Sequence, residues 1–374
     1  MTIGIICEYN PFHNGHLYHL NKIKEKYNDA TIVLVMSGNF VQRGNISLIN
    51  KWDKTKIALH YGIDIVIELP FIFATQSADI FAKGAISILK ELKVNKLIFG
   101  SESNDTKKLL HLASSQLNNP NYDTLVKTYL DKGYNYPTSM NKALYDINNQ
   151  EINDPNDLLG LSYIKQIISQ DANIEVETIK RTNDFHNTKL KDKITSATSI
   201  REALKNNIDI KKYVPTEALK YLNQNTTNNY FNYLKYKIIS ENKNLSLYQT
   251  VDEGIENRLL KYIDTCQNLD ELITKVKTKR YTYNKISRMT SHIICSFTKE
   301  EAKNQELTYI RLLGFSKAGQ NYLNKIKKDL NIPLITKQKK DFDQLLTIDN
   351  RCDAIYNLIT NQNSKKHSII KYNK

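Results

Sequence analysis

Two histidines three residues apart, His13 and His16, close the run Cys7-Glu8-Tyr9-Asn10-Pro11-Phe12-His13-Asn14-Gly15-His16. That spacing puts both imidazoles on one face of the first turn of a helix. Gly15 removes the side chain between them, so a ligand can approach the backbone closely. The run follows a short apolar segment, Thr2–Cys7, and opens into helical periodicity from about Gly15 to Tyr27. At such a junction free backbone N–H groups and the helix dipole favour phosphate. Two imidazole donors aimed at one phosphate would stabilise charge developing on its oxygens during displacement. Away from a strand–helix junction the same pair would read as surface histidines.

A second constellation is Thr195-Ser196-Ala197-Thr198-Ser199-Ile200-Arg201, an S-x-T-x-x-R pattern opening a late helix. Hydroxyls and amides at a helix start bind phosphate, and Arg201, one turn in, can neutralise a leaving pyrophosphate. Ser196 and Thr198 taken alone read equally well as helix caps. For Arg43, in the segment after the second strand, a carboxylate or phosphate partner and a plain surface position fit alike.

The elements that must hold these residues alternate. Strand-like runs cover Thr2–Cys7, Thr31–Met36, Ile63–Glu68 and Leu97–Phe99, with helical segments Trp52–Tyr61 and Ala78–Leu92 between the later ones. Residues 103–150 read as polar and mostly helical, Ile174–Ile179 as one more strand, and Thr195 as the opening of a helix. This is the pattern of an α/β fold with a doubly wound, Rossmann-like parallel sheet, whose ligands sit outside the carboxyl ends of the strands. The stretch Asn223–Tyr230, almost all Asn and Thr, reads as a linker. The expected division is therefore a catalytic domain over 1–222 and a mostly helical domain over 223–374. In the latter, Ile286, Met289, Ile293, Ile294 and Phe297 share one helical face, with Lys285, Arg288 and His292 expected opposite.

Charge separates the two parts. Residues 1–210 carry 24 Lys+Arg against 23 Asp+Glu, whereas 211–374 carry 29 against 16, nearly all of the net +14. Such asymmetry is the footprint of a polyanionic partner, and it favours nucleic acid. The run from Lys275 to Arg288 interleaves Lys277, Lys279, Arg280 and Arg288 with Tyr281 and Tyr283, as backbone contact plus base stacking requires. A solvated basic face is the plainer alternative. The four cysteines, Cys7, Cys266, Cys295 and Cys352, lie far apart, which argues against a disulfide framework or a Cys-rich metal site and suits a reducing compartment. The first lysine is Lys22, so no charged leader region precedes the first apolar run, and Ile63–Ala74 is too short to span a bilayer. The expectation is a cytoplasmic protein with no membrane segment and no metal ligands.

H-x-G-H after the first strand together with S-x-T-x-x-R after the last resembles the HIGH-type nucleotidyltransferase superfamily. Further blocks narrow the likeness: Met36-Ser-Gly-Asn-Phe-Val-Gln-Arg43-Gly44, Glu68-Leu-Pro70, Thr75-Gln-Ser-Ala78, Phe99-Gly100-Ser101-Glu102, Pro155-Asn156-Asp157-Leu-Leu-Gly160 and Tyr309-Ile-Arg311-Leu-Leu-Gly314-Phe315. Together they resemble the bacterial tRNA(Met) cytidine acetate ligase family across nearly the whole chain. The resemblance implies activation of acetate with ATP to acetyl-adenylate, then acetylation of the wobble cytidine of elongator tRNA(Met). It also implies an ATP site formed by Ile6, Cys7, Glu8, Tyr9, Asn10, Pro11, Phe12, His13, Asn14, Gly15, His16, Leu17, Tyr18 and His19, joined by Gly100, Asn156 and Arg181. Whether magnesium must accompany ATP stays open. Asp157 stands where the family often has a second Asn, and Asn45 where it often has Glu. Two rivals stay in view: a coenzyme-type adenylyltransferase, which leaves the basic second half without a purpose, and an inactive RNA-binding relative, which leaves the intact motifs without one.

Overall fold

The computed structural model describes residues 1–181, 195–222, 229–303, 306–337, 343–362 and 368–372. Five strands form the parallel core: β1 (Thr2–Cys7), β2 (Thr31–Ser37), β3 (Ile65–Leu69), β4 (Lys96–Ser101) and β5 (Glu175–Lys180). Their order is β5-β4-β1-β2-β3. β1 to β3 run outward to one side, and β4 returns to the other flank of β1. The strand order thus reverses between β1 and β4, where a doubly wound sheet opens its crevice.

The helices of this part are α1 (Asn14–Lys26), α2 (Lys51–His60), α3 (Phe71–Ala74), α4 (Ala78–Glu91), α5 (Thr106–Asn118), α6 (Tyr122–Asp131), α7 (Tyr136–Asn148), α8 (Pro155–Ser169), α9 (Ala197–Lys205) and α10 (Thr216–Leu222). β1, β2 and β3 are buried almost throughout, the apolar run expected of strands covered on both faces. Side chains alternate across the sheet, so Ile3, Ile5 and Leu34 join one core with α1, α2 and α9. Ile6, Val33, Val35, Ile65 and Ile67 join the other with α4 and α8.

Beyond residue 228 the helical expectation holds for α11 (Tyr230–Ser240), α12 (Ile255–Ile263), α13 (Leu269–Val276), α14 (Tyr283–Ile294), α15 (Lys299–Lys303), α16 (Lys317–Ile326) and α17 (Gln344–Ile359). The structure adds three strands. β6 (Ile310–Ser316) pairs antiparallel with β3, and β7 (Leu334–Ile335) and β8 (Ile370–Tyr372) pair with β6. The C-terminal part therefore completes the sheet that the N-terminal part begins, and its helices share the second core. A buried charge cluster fastens the seam. Lys51 reaches Glu68 of β3 at 2.8 Å and Asp353 of α17 at 2.5 Å, while Arg311 of β6 reaches the same two carboxylates at 3.3 and 3.4 Å. Removing one partner would strand a buried charge, a change that destabilises by about 3–5 kcal/mol. The linker expected at Asn223–Tyr230 falls mostly outside the described residues. No described helix is long and apolar enough to cross a membrane.

Candidate active site

The loop after β1 makes a sharp turn, with Tyr9 at φ +49° and a cis Asn10–Pro11 peptide. His13 ends it as the N-cap of α1. Its Nδ1 accepts the Gly15 N–H at 3.0 Å, and the Nδ1 of His16 accepts the His13 backbone N–H at 3.3 Å. A backbone N–H can only donate, so each neutral ring carries its proton on Nε2. The two rings lie 3.9 Å apart, centroid to centroid, and Tyr9 and Phe12 wedge against His16. Burial, reinforced by Arg181 and Arg201, drives the His13 pKa down to about 3. Burial and its neighbour His13 push His16 well below the usual range. At pH 7 both are therefore neutral, each with an Nε2–H free of the turn's own hydrogen bonds, a pair of donors of the kind that can stabilise charge on one anionic oxygen.

α9 meets this loop directly. Arg201 donates to the Asn10 carbonyl at 2.8 Å and to the Thr198 hydroxyl at 3.1 Å. Ser196 caps α9 by accepting the Ser199 N–H at 3.1 Å, so its hydroxyl plays the helix-cap part. On the other flank, Arg181 follows β5 and pairs with Glu102 at 3.4 Å, its stem 3.3 Å from where a Cβ on Gly100 would stand. Glu102 also accepts from the Asn156 amide. Asp157 accepts the Ser101 hydroxyl at 2.5 Å and the amides of Glu102 and Ser103 at 3.1 and 3.0 Å. A carboxylate at this position thus ties down the turn after β4.

The histidines, Arg181, Asn156, Thr198 and Arg201 face one cavity of about 1090 Å³ at the carboxyl ends of the strands, while Glu102 and Asp157 stand behind its wall. Its wall includes Ile6, Cys7, Glu8, Tyr9, Asn10, His13, Gly15, His16, Tyr18, His19, Gly100, Asn156, Arg181, Ser196, Thr198 and Arg201. Pro11, Phe12, Asn14 and Leu17 do not line it. Phe12 is packed in the core against Tyr61, and the Asn14 amide reaches the Lys212 carbonyl at 2.9 Å. Burial pushes the Cys7 thiol up to about 12, which leaves it inert as a nucleophile. Among the described residues no cluster of His, Cys, Asp or Glu could hold a metal ion.

The cavity is strongly cationic. Arg43, Lys180, Arg181, Arg201, Arg280, Lys285 and Arg288 line it, against Glu8, Asp79 and Glu253. Three of those cations come from the basic run at the start of α14. The loop that carries Arg43 docks on this helix: Ser291 donates to the Gly44 carbonyl, and Ser287 donates to Asn45 at 3.1 Å. The position where the family often has Glu is thus a docking contact here.

This separates the four expected RNA ligands. Lys277 and Lys279 are exposed and do not line the cavity, Arg280 is exposed on its wall and pairs with Glu253 at 3.0 Å, and the half-buried Arg288 lines it too. The expectation that His292 lies opposite the apolar face is corrected: it is fully buried, between the carbonyls of Thr75 at 2.9 Å and Gln249 at 3.1 Å. Burial lowers its pKa to about 4. α14 is enclosed on both sides, by its own helical neighbours and by the segment after α3, so periodicity alone misjudged its second face.

Sequence reasoning missed Lys54. Its ammonium is buried and donates to the carbonyls of Glu8, Ser37 and Gly38 at 3.0, 2.8 and 2.8 Å, which clamps the carboxyl ends of β1 and β2 together. Burial brings its pKa down to about 7. A lysine in a helix gives no local signal of such a role.

A family model described as HIGH Nucleotidyl Transferase matches residues 1–369. The chain is 41% identical to the tRNA(Met) cytidine acetate ligase of Geobacillus sp. (strain WCH70), over 90% of this chain and 88% of that one. It is 39% identical to the ligase of the same name from Clostridium tetani, over 95% of both. The chain belongs to this family. Its fold agrees throughout with the crystal structure of Thermotoga maritima TmcAL, at a TM-score of 0.90, 28% identity and full coverage of both chains. The same protein bound with alpha-thio ATP superposes at 0.89. The family's fold is thus the doubly wound sheet read from the strand pattern, with the C-terminal strands added.

Proposed function

We infer that the chain is an ATP-dependent ligase that activates acetate as acetyl-AMP and transfers the acetyl group to the wobble cytidine of elongator tRNA(Met), giving N4-acetylcytidine. The carrying observation is the pair of neutral imidazoles at the strand-order reversal, tied by Arg201 to the helix that begins S-x-T, in a chain that aligns with these ligases nearly end to end. We assign ATP to Ile6–His19, Gly100, Asn156, Arg181, Ser196, Thr198 and Arg201. Those that do not face the cavity, such as Phe12 and Asn14, hold the loop's shape instead.

In the first step an acetate oxygen attacks the α-phosphorus, a P–O bond forms, and the bond to pyrophosphate breaks. His13 and His16 donate Nε2–H to the α-phosphate oxygens as charge builds, and Arg201 and Arg181 offset the departing pyrophosphate. No side chain attacks, in keeping with a protonated Cys7. In the second step cytidine N4 attacks the acetyl carbon, the C–N bond forms, AMP leaves, and the proton from N4 passes to solvent. Oxide is a poor leaving group and AMP a good one, which is why the acid is adenylated first. The tRNA lies across the exposed Lys277, Lys279 and Arg280, beside the cavity mouth, in the half that carries the positive excess. Magnesium, where present, would travel with the triphosphate.

The deciding experiment is exchange of labelled pyrophosphate into ATP with and without acetate, paired with acetylation of tRNA(Met). Acetate-dependent exchange followed by acetylcytidine in the tRNA is the expected result. Exchange that ignores acetate, or that needs a phosphorylated small acceptor, would overturn it.

A further inference from the structure

Two side chains beyond the histidine pair face the cavity without partners among the described residues. Gln76, in the Thr75-Gln-Ser-Ala78 block after β3 and α3, is only 2% exposed and lines the cavity, and its Nε2 donates to no described group. A buried amide donor left unpaired is costly, so an acceptor is missing there. Arg288, on the second turn of α14, also lines the cavity, and its guanidinium has no hydrogen bond or ion pair among the described residues. Burial alone lowers its pKa, to about 10, with no described carboxylate near enough to counter it.

The fold ties the two segments that carry these groups together at the cavity wall. His292 stands one turn after Arg288 on the same face of α14 and bonds the Thr75 carbonyl, next to Gln76. Gly44 presses on the Arg288 backbone so closely that an added Cβ would lie 2.4 Å from its nitrogen. α4 begins at the same wall. Its N-cap, Ser77, makes no side-chain cap, and Asp79 in its first turn is offset by Lys165 at 3.1 Å. The site therefore presents a guanidinium, an amide NH2 and open helix amides, with Asp79, the carboxylate beside them, held by Lys165.

We propose that Arg288 and Gln76 form the subsite that binds the carboxylate of the acid to be activated. The assignment rests on the proposed function. A guanidinium beside an amide matches the two oxygens of a carboxylate, and a recessed site suits a small anion, whereas an RNA phosphate finds exposed cations at Lys277 and Lys279. The site also sits on the β3 side of β1, and the assigned ATP residues Gly100, Asn156 and Arg181 on the β4 side. Nucleotide and acid thus approach the histidine pair from opposite flanks.

The test is steady-state pyrophosphate exchange with acetate and ATP varied separately, on Gln76→Leu, Gln76→Glu, Arg288→Met and Arg288→Lys, with tRNA(Met) affinity measured on the same preparations. The acetate KM should rise about tenfold or more in Gln76→Leu and Arg288→Met, as expected for losing one hydrogen bond to a charged group. It should rise further in Gln76→Glu and recover in part in Arg288→Lys, while the ATP KM and tRNA affinity stay within about twofold. Should Arg288→Met fail to fold, the two Gln76 variants carry the test. An unchanged acetate KM in folded variants overturns the assignment. Loss of tRNA affinity at unchanged acetate KM also overturns it and gives the site to an RNA phosphate. Absence of acetate-dependent exchange in the unaltered enzyme overturns the proposed function, and the subsite with it.

Discussion

At one end of the cavity, His13, His16, Ser196, Thr198 and Arg201 come from two short segments, each opening a helix, and their geometry is set within a few residues. The Nδ1 atoms of both histidines are fixed by amides of the same turn. At the other end, Gln76, Arg280, Lys285 and Arg288 come from distant stretches that meet because α14 packs both on the segment after α3, through His292 and the Thr75 carbonyl, and on the loop at Gly44. The first end is chemistry written in local spacing, and the second is chemistry assembled by packing. Local perturbations should therefore act sharply at the first, while the second should fail whenever its seam opens.

The largest effect belongs to the histidines. His13→Ala or His16→Ala should each lower acetyl-adenylate formation by about 10²–10³-fold, the usual weight of one preorganised donor. The His13 variant should also lose about 1 kcal/mol of stability, since that ring caps α1. Exchange kinetics and chemical unfolding on the same preparations read both quantities. Near-normal exchange in folded variants would deny the local end its catalytic role.

Gly44→Ala attacks the seam instead. Gly44 sits at φ +80°, and its Cβ would meet the backbone of Ser287 and Arg288 at 2.4 Å. Neither neighbour is a flexible side chain, so the loop and α14 must part. The left-handed backbone alone costs a non-glycine residue about 1–2 kcal/mol. The expected outcome is a destabilised enzyme that binds ATP nearly normally but has lost most of its acetate use and tRNA acetylation. Equal losses of ATP and acetate binding would show that the two ends are not separately built.

This contrast also explains what the sequence disclosed. β1 to β5 and both helix-start motifs were legible because each rests on apolar runs and spacings within about a dozen residues, whereas the strand order, with its reversal at β1, came only from the pairing in the structure. β6 escaped notice because Tyr309–Phe315 is a short apolar run in a helical neighbourhood, which periodicity cannot assign alone. His292 was placed outward for a related reason: helical spacing shows one buried face and is silent about a second element packed on the other. Lys54 and Gln76 were illegible as participants, since a lysine in a helix and a glutamine in a loop acquire meaning only from the carbonyls or empty space around them.

A smaller effect concerns the outer surface. Replacing Lys277, Lys279 and Arg280 together by Ala should lower the slope of log tRNA affinity against log salt by roughly 0.7–0.9 for each phosphate that is no longer neutralised. Acetyl-adenylate formation without tRNA should change little, because Lys277 and Lys279 lie off the cavity wall and Arg280, on it, is paired with Glu253. Arg280 pairs with Glu253, so its share of the slope should be the least of the three. An unaltered salt slope would leave these residues a solvated face and move the RNA contact elsewhere.

The smallest effect tests whether the nucleotide end is as self-contained as its local build implies. Asp157 is 3% exposed; one oxygen accepts from the Ser101 hydroxyl and the Glu102 amide, and the other accepts the Ser103 amide. Asp157→Asn keeps one acceptor oxygen but turns an NH2 toward the Ser103 N–H, setting two donors against each other. One hydrogen bond to a charged acceptor disappears, an effect of about 1.5–3 kcal/mol at most, which a shift of the turn would reduce. Glu102, which holds Asn156 and Arg181, should then loosen, so the ATP KM should rise by about fivefold or less, equivalent to 1 kcal/mol. Gln76 and Arg288 share no hydrogen bond with this turn, so the acetate KM should not follow. Separate titrations of ATP and acetate in the exchange assay decide it. If both constants rise by the same factor, the turn after β4 reaches the far end of the cavity through the packing of α8 and α4, and the independence of the two ends is lost.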